Sequence, residues 1–84
     1  MKFKPRSYGL RWHLINSSMR SAGSIRSRRE YVIEKKHVPG FQYYEYFLWV
    51  RRSPLHELEV LASFDRLCLA HDAADRCEWA RWEA

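Results

Sequence analysis

The sequence predicts a small α+β domain in which an antiparallel sheet of three or four strands carries one C-terminal helix on one face. Segments within residues 30–62 favour strands, since they are rich in aromatic and β-branched residues and are separated by the turn-forming pairs Pro39-Gly40 and Ser53-Pro54. Residues 65–82 repeat small apolar residues with the period of a helix. The remaining part, residues 1–29, is a basic arm. A chain of 84 residues has room for one domain of this kind.

The basic arm contains a predicted first strand and a predicted loop. Residues 10–14 favour a strand, because Leu10, Trp12 and Leu14 alternate with polar residues. Residues 17–29 hold five serines, four arginines and one glycine, and they show no sustained apolar period. That composition is typical of a loop.

Two longer strands follow, joined by a turn. Residues 30–38 form the second predicted strand, and residues 41–52 form the third and longest one. The third is dense in aromatic and β-branched residues, which suit a pleated surface. Between them, Pro39 presets the first corner of a turn and Gly40 accepts a positive φ at the second.

The C-terminal third is predicted to be a short strand followed by the helix. Residues 58–62 form the fourth strand. Asp65 is the predicted N-cap of the helix, since its carboxylate can accept free amides of the first turn. The face that packs on the sheet is predicted to be rich in alanine, which lets a helix lie close to its neighbour. Its members are Leu67, Ala70, Ala73, Ala74, Cys77 and Ala80.

Charge is divided unevenly along the chain. Residues 1–29 carry eight cations and no acid, whereas residues 30–84 carry seven cations and ten acids, which gives the net charge of +5. This division favours an anionic partner, either nucleic acid or an acidic protein face, although a solvated basic loop is the commonest reason for such a segment. The predicted partner-binding residues are Arg20, Arg26, Arg28, Arg29, Trp49, Arg51, Arg52, Trp79 and Trp82.

The third strand carries aromatic residues on both of its faces. One helix covers only one face, so the other is predicted to be open unless residues 1–29 or another protein cover it. An open aromatic strip beside arginines could stack nucleobases or form the centre of a protein interface. One face holds Phe41, Tyr43, Phe47 and Trp49, and the other holds Tyr44, Tyr46, Leu48 and Val50.

Nothing in the sequence favours catalysis, a cofactor or a metal. There is no glycine-rich phosphate loop and no recognisable nucleophile motif. A helix flank of Cys68, His71, Asp72, Asp75 and Trp79 is predicted to be solvated, because a closed zinc site needs further ligands from elsewhere.

The predicted location is the cytoplasm of a bacterial host, with reduced cysteines and no membrane contact. The cationic N-terminus has no apolar run behind it, which disfavours a signal peptide. On a helix, Cys68 and Cys77 would lie about 13 Å apart, too far for a disulfide.

The segment at residues 60–67, with its Phe64 and Asp65, is followed by the alanine-spaced helix. It resembles the strand–Phe-Asp–helix ending of short phage and mobile-element proteins, several anti-CRISPR proteins among them. The resemblance implies a stoichiometric inhibitor of a host machine and assigns no functional residue. Many such inhibitors are acidic DNA mimics, whereas the arm here is basic.

Three functions remain open from the sequence. The leading prediction is a non-enzymatic binding protein, a phage-type inhibitor that docks on a bacterial protein or protein–nucleic acid complex. The alternative is a small nucleic-acid-binding module that uses the basic arm and the aromatic strand. The third is a structural subunit that self-associates, for example as a homodimer.

Overall fold

The computed structural model describes residues 10–24 and 27–83. The basic arm's first nine residues, with three of its cations, lie outside the described residues. Five strands and one helix follow in the order β1 (Arg11–Asn16), β2 (Met19–Gly23), β3 (Glu30–His37), β4 (Tyr44–Arg51), β5 (Glu59–Phe64) and α1 (Leu67–Glu83).

The fold is an antiparallel meander with the helix packed on one face. Each strand pairs with the next along the chain, so the sheet order is β1-β2-β3-β4-β5. The α+β class and the single C-terminal helix are confirmed, but the sheet has five strands rather than three or four. No helix within the described ranges is long and apolar enough to cross a bilayer.

The additional strand is β2, which lies inside the segment that was predicted to be a loop. Its buried apolar side chain is Ala22, so it shows no apolar period. Its backbone pairs with β1 on one side and with β3 on the other. The prediction of a loop over residues 17–29 was therefore wrong for Met19–Gly23, because two ladders of hydrogen bonds supply order that the side chains do not encode.

The core lies between the helix and one sheet face. The register places Tyr31 beside Val50 and Ile33 beside Leu48, and all four side chains point to the helix. This confirms the predicted division of the third strand between Tyr46, Leu48 and Val50 on one side and Phe47 and Trp49 on the other. The buried cluster consists of Leu10, Ala22, Tyr31, Ile33, Leu48, Val50, Ala70 and Ala74.

The turn between β3 and β4 is the one that the sequence predicts. The amide of Phe41 donates to the carbonyl of Val38 at 3.1 Å, and Gly40 has a φ of 83°. Proline at the first corner and glycine with positive φ at the second define a type II turn. The strand after it is shorter than predicted, since Phe41 and Tyr43 precede β4 and are exposed.

The helix begins later than predicted. The carbonyl of Arg66 accepts the amides of Leu69 at 3.2 Å and Ala70 at 3.4 Å, so Arg66 occupies the cap position and Asp65 lies outside the helix. The prediction of Asp65 as N-cap was wrong, because β5 extends to Phe64 and the chain needs two further residues to turn.

The helix face toward the sheet contains both small and acidic residues. Ala70 and Ala74 are fully buried, as predicted. Ala80, which was predicted on the same face, is exposed. Asp75 and Glu78 are buried instead, so the flank that includes Asp75 is not uniformly solvated.

Candidate functional site

Three predicted arginines surround one cleft at an end of the sheet. The cleft has a volume of about 410 Å³ and lies where the β2–β3 loop approaches the segment after β4. Arg28 and Arg29 come from the loop, and Arg51 comes from the last position of β4. We call this site the arginine cleft. Its described lining consists of Gly23, Ser24, Arg28, Arg29, Glu30, Arg51, Ser53 and Pro54.

Glu30, the acidic neighbour of Arg51, does not use all the hydrogen-bond donors of the Arg51 guanidinium group. The Nε of Arg51 lies 3.3 Å from Oε1 of Glu30 across the β3–β4 pair, close enough for an ion pair but outside hydrogen-bond geometry. An arginine has five N–H donors. The Arg51 guanidinium therefore keeps donors for a carboxylate or phosphate that enters the cleft.

The β2–β3 loop is folded back on itself. The amide of Ser24 donates to the carbonyl of Arg29, and the amide of Arg28 donates to the carbonyl of Ser24, both at 2.8 Å. Arg28 has a φ of 63°, a left-handed conformation that a non-glycine residue adopts at a cost of about 1 kcal/mol or more. The loop therefore holds the exposed Arg28 in a defined backbone position at the cleft.

A buried carboxylate fixes this loop to the helix. Glu78 is fully buried on α1. Its Oε1 accepts hydrogen bonds from the hydroxyls of Ser27 at 2.8 Å and Tyr31 at 2.9 Å, and its Oε2 accepts one from Ser24. Because these donors come from the loop and from β3, one side chain sets the position of the loop relative to both sheet and helix.

The groups that surround Glu78 raise the pKa values of Tyr31 and Arg29. Burial, together with contacts to Cys77 and Glu78, raises the pKa of Tyr31 far above its usual range, so the phenol stays a donor. The Nη1 of Arg29 donates to Sγ of Cys77 at 3.0 Å. Burial lowers the pKa of Arg29, but Tyr31, Cys77 and Glu78 outweigh it and raise the pKa overall.

An ordered turn beside the cleft presents an exposed leucine. Leu55 is 95% exposed, although it follows Ser53 and Pro54, which line the cleft. The Ser53 hydroxyl accepts the amide of Leu55 at 3.3 Å and hydrogen-bonds with Nδ1 of His56 at 2.6 Å. The side chain is therefore displayed by a structured segment, as an interface anchor would be.

The sheet face opposite the helix is partly apolar and carries charges of both signs. β1 and β2 extend the sheet edge, so residues 10–24 do not cover this face. Trp49 is half-buried there beside the buried Val32, its cross-strand partner. Glu34 pairs with Lys36 at 3.7 Å on the same face.

The other predicted binding residues do not belong to the arginine cleft. Arg20 lies on the helix side of β2, where its Nη1 is 3.4 Å from Nε2 of His71. Trp79 is 37% exposed on the helix, Trp49 lies on the open sheet face, and Arg52 is exposed directly after β4. Arg26 and the side chain of Trp82 lie outside the described residues.

Glu78 and Leu55 were not among the predicted site residues. Glu78 continues the spacing of Ala70 and Ala74 at intervals of four, which marks it as a member of the buried helix face. Leu55 has no comparable signal, since the exposure of a loop residue depends on the turn that holds it. In the part of the chain that is described, no three metal-ligating side chains cluster.

The fold and the site together define the class of protein. The chain is a small α+β domain with a basic cleft and an exposed apolar residue, Leu55, beside it. Comparison with family models, curated proteins and solved structures gives no match for the chain.

Proposed function

We propose that this chain is a non-enzymatic binding protein that docks on an acidic surface of another protein. One observation carries the proposal: Arg28, Arg29 and Arg51 converge on one cleft whose described lining includes a single acid, Glu30. Glu30 is already engaged by Arg51. The cleft thus has an excess of positive charge for a partner's carboxylates.

A protein partner fits the surroundings of the cleft better than a nucleic acid. Leu55 offers an apolar contact beside the arginines, and such combinations of apolar anchor and arginine are common at protein interfaces. Glu30, Glu34 and Glu45 lie on the open sheet face, where a protein partner can match them with its own cations and a phosphate backbone cannot. Within this proposal, the sequence favours one specific role. It is that of a phage-type inhibitor that acts on a bacterial protein–nucleic acid machine.

Direct binding of nucleic acid is the second candidate. The arginine cleft supports it, because guanidinium groups bind phosphates through paired hydrogen bonds. This candidate requires that the cleft's charge outweigh the acids on the neighbouring sheet face.

The two candidates are separated by affinity capture from a bacterial lysate with and without nuclease. The baits are the parent chain, a double variant with Arg28→Gln and Arg51→Gln, and Leu55→Ala. Lys36→Gln is the matched control, since it removes one cation at the other end of β3, about 20 Å from the cleft end.

We expect the parent and Lys36→Gln to retain the same protein after nuclease treatment, and both cleft variants to lose it. Capture of nucleic acid alone, or of proteins that nuclease removes, would favour the second candidate. Equal capture by all four baits would show that the cleft is not the binding site.

A further inference from the structure

A second concave site lies on the sheet face that carries the helix, near the first residue of α1. It is a cavity of about 120 Å³ between the β1–β2 turn, the middle of the sheet and the first residue of α1. Its polar lining comes from Ser17, Ser18, Arg20 and Lys35, and its apolar lining includes Ile33, Tyr46 and Leu67. It shares no lining residue with the arginine cleft.

The charged residues in the described lining of this cavity are both cations. Arg20 and Lys35 are both half-buried, and the described lining contains no acid. None of the ion pairs among residues 10–24 and 27–80 involves either cation. The Nη1 of Arg20 faces Nε2 of His71, and Nζ of Lys35 lies 4.2 Å from the centroid of the Tyr44 ring. These contacts orient the two cations without neutralising them.

The volume and donor set restrict the ligand. Since one water takes about 30 Å³ of liquid, a cavity of about 120 Å³ has room for about four water-sized groups, and a tetrahedral oxyanion presents four oxygens. Its polar lining residues come from three elements: Arg20 from β2, Lys35 from β3, and Ser17 and Ser18 from the β1–β2 turn. A small dianion with oxygens in several directions satisfies both the charge and the geometry.

We propose that this cavity binds a phosphate group, with Arg20 and Lys35 as its cationic ligands and the hydroxyls of Ser17 and Ser18 as further donors. The site is independent of the proposed protein-docking cleft and adds a ligand-binding function to it. Free phosphate and a phosphomonoester present the same chemistry to the cavity.

The test is a titration of the purified chain with inorganic phosphate and, separately, with methyl phosphate. Binding is followed by the amide NMR signals of the β1–β2 turn and by the rise in melting temperature that a ligand of the folded state produces. The variants are Arg20→Gln and Lys35→Gln. Lys36→Gln is the control, because Lys36 is the next residue along β3 and faces the opposite side of the sheet.

We expect phosphate to shift the signals of Ser17 and Ser18 in the parent at about 0.15 M salt. Each of the two variants should weaken binding at least about tenfold, since each removes a charge-assisted hydrogen bond. Lys36→Gln should bind like the parent. Methyl phosphate binding as tightly as phosphate indicates a phosphomonoester ligand, and binding of inorganic phosphate alone indicates the free anion.

Two results would overturn the proposal: no saturable binding of either anion, or equal weakening in all three variants. The spectrum of each variant without ligand shows whether it is folded, and Lys35→Gln keeps the test valid if Arg20→Gln unfolds. If the phosphate titration gives a negative result, the proposal for the arginine cleft is not affected. The affinity capture tests that cleft with different variants, because the two sites share no lining residue.

Discussion

Glu78 combines full burial with three hydrogen-bond donors from other parts of the chain. A buried carboxylate is costly unless donors compensate it, and these donors do so. The same arrangement makes the donors dependent on the carboxylate, since Ser24 and Tyr31 are buried where they reach it and Ser27 is half-buried. The stability of the loop that carries Arg28 and Arg29 therefore depends on one helix residue.

Removal of this carboxylate should destabilise the whole domain. We expect Glu78→Ala to lower the free energy of unfolding by about 3 kcal/mol, because it leaves a cavity and several unpaired donors. Glu78→Gln should cost about 1–2 kcal/mol, since it keeps the shape and one acceptor. Urea unfolding measures both, and Glu57→Ala, at an exposed position, is the control. A Glu78→Ala variant within about 0.5 kcal/mol of the parent would contradict the assigned network.

His71 is expected to make stability depend on pH. Burial and, second, the charge of Arg20 lower its pKa below the ordinary value of 6.5. Trp12 of β1 and Arg20 of β2 face the ring. The unfolded chain thus binds the extra proton more readily, so the stabilisation is complete above pH 6.5 and decreases as the pH falls below it.

This expectation is checked by urea unfolding at a series of pH values across that region. His71→Gln should reduce the loss of stability on acidification, since it removes the group that gains a proton on unfolding. His13→Gln, which removes an exposed histidine from β1, should keep the pH dependence of the parent. If His71→Gln and the parent have the same slope, His71 does not carry the effect.

At the scale of the elements, the helix packs on the sheet through its smallest side chains. Ala70 and Ala74 have no exposed surface, and they lie over a sheet face that supplies Tyr31, Ile33 and Leu48. The space between helix and sheet is filled by the larger sheet residues. A larger residue on the helix therefore has no room.

Ala74→Leu should therefore destabilise the domain by about 1–3 kcal/mol through overpacking. Ala80→Leu provides a matched control, because Ala80 is exposed on the same helix. The melting temperatures of both variants measure the difference. An Ala74→Leu variant as stable as Ala80→Leu would show that the buried helix face is assigned incorrectly.

The elements that the sequence predicts are those whose side chains carry the signal. The helix follows from apolar periodicity, β3 and β4 follow from their aromatic and β-branched residues, and the turn follows from Pro39 and Gly40, whose φ requirements are intrinsic. β2 does not follow, since its order comes from backbone pairing with two neighbours. Of the candidate site, the sequence predicts the arginines but not their convergence, because Arg28 and Arg51 become neighbours only through the β3–β4 pairing.

At the scale of the whole molecule, three of the fifteen cations of the chain meet in one cleft. The net charge is +5, and the arginine cleft collects part of it at one end of the sheet. Such a concentration speeds encounter with any acidic partner. Long-range attraction alone thus does not distinguish a protein from DNA. A protein partner is distinguished from DNA by a measurement in which the binding of each depends differently on salt and on the same arginines.

Binding to random duplex DNA provides that measurement. On the proposed function, we expect the isolated chain to bind DNA no more tightly than about 10⁻⁶ M at about 0.15 M salt, as purely non-specific contacts do. If the cleft contacts phosphates directly, a triple variant with Arg28→Gln, Arg29→Gln and Arg51→Gln should reduce the slope of log K against log salt by about 2–3. On an acidic protein, the same variant should mainly slow association, whereas Leu55→Ala should accelerate dissociation. Tight binding to random DNA that the triple variant abolishes would contradict a protein partner and establish the nucleic-acid alternative.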